Sequence, residues 1–222
     1  MTRSLVLLLA LAVIPASARE PIRLPNNPAL SPDGKTLAFD WNGDIWTVPI
    51  EGGTARALTT NTAKDTSPKF SPDGKEIAFV SDREGSAQIF VMPSSGGTPK
   101  QMTFHTAGYS LYEWTPDGKG WLVGTLRDHG WGRRNNDRIQ IVRRWDDINK
   151  RPADELLFDD FGANGTLSAD GLTVLFNREG PEWWRKGYAG SQSAQLWRYD
   201  REPKAFTRLP TGDADSRWAM YG

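Results

Sequence analysis

Beyond residue 18 the chain alternates short apolar or β-branched runs with polar turns, and helical periodicity is hard to find. One turn recurs: Ser31-Pro32-Asp33-Gly34-Lys35, Ser71-Pro72-Asp73-Gly74-Lys75, Thr115-Pro116-Asp117-Gly118-Lys119 and Ser168-Ala169-Asp170-Gly171, at spacings of 40, 44 and 53 residues. Proline presets φ at the second position, aspartate bonds its own backbone and glycine accepts a positive φ. A strand-like run follows each turn, at 36–39, 76–80, 120–126 and 172–176. Another comes next, at 44–49, 88–92, 138–145 and 195–199, with Asn42-Gly43 as the hairpin signal in the first copy. A short last strand is expected at 55–58, 100–103, 155–158 and 205–209.

Four strands per unit at this period are the signature of β-propeller blades. A β-sandwich is the competing fold, but sandwiches do not repeat one turn at a near-constant interval. The expected fold is therefore all-β, a propeller with blades at about 26–60, 64–104, 108–159 and 163–210. A fifth begins near 215, which reads as an incomplete ring. A ring closed by four blades is the alternative. An unclosed ring leaves sheet faces and edges bare, so aggregation or homo-oligomerisation of this chain is expected. Two units are lengthened, around 127–137 and 179–193, and insertions in repeat folds map to loops.

Residues 1–18 read as an export signal: Arg3, an apolar run at 5–14, and Ala16-Ser17-Ala18 as the cleavage pattern. The run is too short to span a bilayer, and no later stretch is long enough. The mature protein is expected in the periplasm or secreted. Lys plus Arg (27) equals Asp plus Glu (27), which argues against a nucleic-acid partner. The absence of cysteine excludes disulfides, thiolate metal sites and a cysteine nucleophile.

Gly43-Asp44-Ile45-Trp46-Thr47-Val48-Pro49 with Gly52-Gly53 and Leu58-Thr59 resembles the opening blade of tricorn-type proteases. The second unit, from Ser67-Pro68-Lys69-Phe70 to Ile77-Ala78-Phe79, is similar to the blade motif that TolB shares with them. Gly187-Tyr188-Ala189-Gly190, Gln195-Leu196-Trp197-Arg198-Tyr199-Asp200 and Asp215-Ser216-Arg217-Trp218-Ala219-Met220-Tyr221 extend the likeness across residues 30–222. The resemblance implies a multidomain serine peptidase. In that family two propellers precede PDZ-like and catalytic domains, and the N-terminal propeller is thought to gate or channel peptides. This chain would be the first part of that propeller, with peptide substrates and the downstream domains as partners and no catalytic residue of its own. The alternative is a TolB-like propeller that binds partner proteins. A propeller lyase or glycan-binding enzyme is a third reading, disfavoured by the shortage of histidines and clustered acids.

The candidate chemistry is correspondingly thin. His105 reads as an inter-blade loop residue and His129 as a rim residue, neither in a triad context. Gly190-Ser191-Gln192-Ser193-Ala194 lacks the final glycine of a nucleophile elbow. Asp40, Asn42 and Asp44 have calcium-loop spacing without its glycine and distal glutamate, so no metal or cofactor is expected. Asp146-Asp147 and Asp159-Asp160 read as solvated turns. The basic cluster Arg127, Arg133, Arg134 and Arg138, with His129 and Trp131 among it and Arg143-Arg144 following, offers bidentate donors and a stacking face. It is expected to contact anionic peptide ends or another domain, against the plainer reading of a solvated loop balanced by Asp128 and Asp137. Trp183 and Trp184 are adjacent, so on a strand they point to opposite faces and at least one is expected at an interface or a ligand surface. Asn164-Gly165-Thr166 fits a glycosylation sequon but reads as a turn.

Overall fold

The structure, a computed structural model, describes residues 21–127, 138–178, 193–210 and 219–221. Among them four antiparallel sheets form, each of four strands in chain order. The first comprises β1 (Asn26–Leu30), β2 (Thr36–Trp41), β3 (Asp44–Pro49) and β4 (Arg56–Ala57). The second comprises β5 (Asp65–Phe70), β6 (Glu76–Ser81), β7 (Gln88–Pro93) and β8 (Lys100–Gln101). The third comprises β9 (Ser110–Trp114), β10 (Gly120–Thr125), β11 (Arg138–Arg143) and β12 (Glu155–Leu156). The fourth comprises β13 (Ala163–Leu167), β14 (Thr173–Arg178), β15 (Gln195–Asp200) and β16 (Ala205–Arg208). Middle strands match expectation within two residues, while last strands are shorter than the sequence indicates.

First strands of successive sheets touch one another, β1 on β5, β5 on β9 and β9 on β13, whereas the last strands of neighbouring sheets do not. The sheets therefore radiate from their first strands, the arrangement of propeller blades. Blades with a neighbour on each side are buried on both faces: β7 and β10 are covered along almost their whole length. Within β10 the alternation divides the core. Trp121 and Val123 pack with Ile89, Val91 and Met102 of the second blade, while Leu122 packs with Val174 and Phe176 of the fourth.

The repeated turn works as its residues require. Ser31 Oγ donates to Asp33 Oδ1 at 2.6 Å and accepts from the Thr36 N–H at 2.9 Å, and the Gly34 N–H donates to the Ser31 carbonyl at 2.9 Å. Ser71 reproduces the two side-chain bonds at 2.7 and 3.0 Å, and Ser168 at 2.5 and 2.9 Å. The fourth copy keeps them with Ala169 in place of proline, because proline supplies pre-set φ rather than a bond. The serine hydroxyls hold the Asp33, Asp73 and Asp170 carboxyls below the ordinary carboxylate range.

All four first strands carry a register irregularity, in β9 opposite Leu122/Val123 and in the other three at Asn26/Ala29, Thr66/Lys69 and Ala163/Thr166, where a left-handed residue makes the bulge. Asn27, Ser67 and Asn164 hold its left-handed position, at φ 47°, 55° and 53°. Asn164-Gly165-Thr166 is thus a bulge inside β13 and not the turn that the sequence indicates.

Blade junctions are tied by side chains. Asp40 accepts from Asn27 Nδ2 at 2.7 Å and from the Ser67 N–H of the next blade at 3.0 Å. Trp114 and Trp145 donate their indole N–H groups to the second blade's Lys69 and Met102 carbonyls at 2.9 and 3.0 Å. The export signal expected at 1–18 and the fifth blade expected from near 215 lie outside the described residues, and Ala219–Tyr221 carries no strand.

Candidate functional site

Both insertions join the second strand of a blade to its third, β10 to β11 and β14 to β15. Their roots therefore share one rim with the Asn42-Gly43 hairpin, while the Ser/Thr-x-Asp-Gly turns occupy the opposite rim. His129, Trp131, Arg133, Arg134, Trp183 and Trp184 lie outside the described residues. Arg127 lies within them, at the root of the first insertion.

Arg127 follows Thr115 by the same interval at which Arg83 follows Ser71. In the second blade Arg83 Nη2 donates to both Asp65 oxygens at 2.9 Å, its Nε donates to Ser81 Oγ at 2.9 Å, and its guanidinium lies 4.6 Å from the Phe90 ring centroid. In the third blade Tyr109 stands where Asp65 would, and Arg127 turns to Asp154. That carboxylate is 4 % exposed. It also accepts from Arg151 Nη2 at 2.9 and 3.2 Å and from the Tyr109 hydroxyl at 3.1 Å. Burial, then the neighbouring carboxylate, raises Tyr109 above the ordinary phenol range, so it donates. Among the described residues, this cluster sets two guanidiniums against one carboxylate. The cluster lines a cleft of about 610 Å³ with Gln140, Pro152 and Leu156. Guanidiniums beside apolar surface suit an anionic group carried on an apolar body.

The remaining arginines separate. Arg143 pairs with Asp117 at 3.1 Å and Arg144 with Glu76 at 3.0 Å, on the opposite rim. Arg138 ends the first insertion and pairs with Asp159, its guanidinium 6.0 Å from the Phe161 centroid. Arg178 begins the second insertion, pairs with Asp160 at 2.8 Å and lies 5.5 Å from the Trp197 centroid. Asp159-Asp160, expected as a solvated turn, is exposed at Asp159 and also joins the roots of both insertions. The arginine flanking each insertion was the available signal. His105 Nδ1 accepts from the Ala107 N–H at 3.1 Å, a loop contact, and Asp44 accepts from Thr59 Oγ1 at 3.1 Å. No group of three or more metal-ligating side chains occurs among the described residues.

A family model described as the tricorn protease N-terminal beta propeller domain matches residues 23–222. Tricorn protease homolog 1 of Streptomyces coelicolor is 28 % identical over 193 residues, covering 82 % of this chain and 16 % of that protein. The chain thus spans a small part of that relative. A putative TolB from Agrobacterium tumefaciens superposes with a TM-score of 0.66 at 24 % identity, covering 85 % of this chain and 62 % of that one. The crystal structure of tricorn protease superposes with a TM-score of 0.63 at 20 % identity, over 89 % of this chain and 19 % of that one. A repeated turn, first strands gathered at one axis and a family match across the described blades agree: this chain belongs to the tricorn protease N-terminal β-propeller family.

Proposed function

We propose that the chain is a non-catalytic propeller segment of an exported, tricorn-like serine peptidase, and that it contributes to peptide access. The observation that carries this reading is that the roots of both insertions share one rim of a tricorn-family propeller, with Arg127 at one root reaching the Asp154–Arg151 pair. The cluster and the arginine-rich first insertion would contact the carboxylate ends of peptides, and the rim would face the downstream PDZ-like and catalytic domains. The export signal read at 1–18 supports a periplasmic or secreted location. Among the described residues no helix is long and apolar enough to cross a membrane.

The second reading, a TolB-like module for protein partners, is favoured by the superposition on TolB. Calorimetric titration with short peptides, as free acids and as C-terminal amides, separates them. The access reading predicts that the acids bind on the order of tenfold tighter, since a charge-assisted bond is lost in the amide. It further predicts that Arg127→Gln erases the difference. Equal binding of acid and amide contradicts it, and binding of folded proteins without peptide binding favours the TolB-like reading.

A further inference from the structure

Glu113 lies on β9, where the first strands of three blades meet. Its Oε2 accepts from the Thr166 hydroxyl of the fourth blade at 3.0 Å, and its Oε1 accepts from the Leu167 N–H. The Lys69 ammonium of the second blade interacts with it electrostatically. The strands packed against β9 are β5, β6, β10 and β13. Their charged residues are Asp65 and Lys69 on β5 and Glu76 on β6; β10 and β13 carry none. Asp65 is held by Arg83 and Glu76 by Arg144, so Lys69 is the charge that faces Glu113.

We propose that the junction between the third and fourth blades is proton-responsive: Glu113 exchanges a proton with solvent while Thr166 reverses its hydroxyl from donor to acceptor. In the ionised state the hydroxyl and the Leu167 N–H both donate to the carboxylate. On protonation Oε2 gains the proton from solvent and donates it to Thr166 Oγ, while Oε1 keeps the Leu167 N–H. No bond to the fourth blade is lost in either state, because a hydroxyl can donate or accept where an amide N–H can only donate. What changes is the cost of holding a charge away from water. Burial raises the Glu113 carboxyl above its ordinary range, against the pull of the two donors and of Lys69. Burial likewise lowers the Lys69 ammonium.

The direction follows from linkage. A carboxyl raised in the folded state binds more protons there than in the unfolded chain, so stability falls as pH rises through the interval between the two values. The turn aspartates act oppositely: their lowered carboxyls contribute stability above the ordinary carboxylate range and lose it as pH falls through their folded values. The two effects therefore occupy different pH windows. Since the third and fourth blades carry both insertions, mild acid firms the wall from which the insertions arise.

The test is urea unfolding between pH 4.5 and 8 of the wild type, Glu113→Gln and Lys69→Met, with the Glu113 carboxyl followed by carbon-13 NMR. Within the Glu113 window the wild-type folded-to-unfolded ratio is expected to fall relative to Glu113→Gln by up to about tenfold per pH unit. Lys69→Met is expected to move the Glu113 midpoint upward, and Thr166→Ser to leave it in place. Parallel wild-type and Glu113→Gln profiles overturn the proposal. If Glu113→Gln does not fold, a wild-type midpoint at or below about 4.3, the ordinary glutamate value, does the same.

Discussion

Asp65→Ala is expected to lower the free energy of unfolding by about 3–5 kcal/mol, the range for removing one partner of a buried ion pair. The Asp65 side chain is fully buried and Arg83 is 15 % exposed. Truncating the aspartate leaves the guanidinium with Ser81 and the faces of Phe79 and Phe90, none of which carries a compensating negative charge. The pair sits where the second blade meets the first, beside the Asp65 N–H that donates to the Gly43 carbonyl at 2.8 Å. Pairing the change with Arg83→Met removes the stranded charge and keeps apolar contact with the two rings, so the double variant is expected to recover most of the loss. Urea unfolding checks both. A loss below about 1 kcal/mol for Asp65→Ala, the range of exposed pairs, would contradict the buried placement.

Trp121→Ala carries an expected cost of about 3–5 kcal/mol for a different reason. Trp121 is fully buried in the core between the second and third blades, and its ring lies 5.1 Å from that of Trp114, tilted by 56°. Alanine leaves a cavity walled by two sheets that their own ladders hold apart. Trp121→Phe separates volume from polarity. The Trp121 indole N–H meets no acceptor among the described residues. An unsatisfied buried donor costs about 1–3 kcal/mol, so phenylalanine gives up volume but relieves that penalty. Its net cost is expected to stay below about 2 kcal/mol, read from the midpoint of urea unfolding. Equal losses for alanine and phenylalanine would mean that packing against Trp114 contributes nothing.

The turn was the most legible element because its chemistry is local. Serine, aspartate and glycine at fixed offsets close the same bonds wherever they occur, and they set the blade count and the middle strands. The first strands were legible only as the starts of blades: Asn26-Asn27-Pro28 and Thr66-Ser67-Pro68 are polar, proline-bearing and kinked by a left-handed residue, so no apolar alternation marks these two. Their ladder partner is the second strand of their own blade, but what covers them is the first strand of the neighbouring blade, and that information is not local. The same limit governs the site. Arg127 stood out as a charge near an insertion, but its pairing with Asp154 depends on Tyr109 replacing the aspartate available to Arg83. Arg143 and Arg144 adjoin the cluster in sequence, yet strand β11 carries them to the opposite rim. Asp159-Asp160 looked inert because its two arginines come from different blades.

The protein has no cysteine, so engineered pairs report on blade order without background. One exposed contact at each of three blade junctions suits this test: Arg56 with the Ser95 carbonyl at 3.0 Å, Glu76 with Arg144 at 3.0 Å, and Glu155 with Arg201. Cysteines at each of these pairs, treated with a short bifunctional maleimide, are predicted to cross-link within the chain, while a pair at 56 and 201 is not. Efficient linkage of 56 to 201 together with failure of the neighbouring pairs would contradict sheets arrayed in succession about an axis.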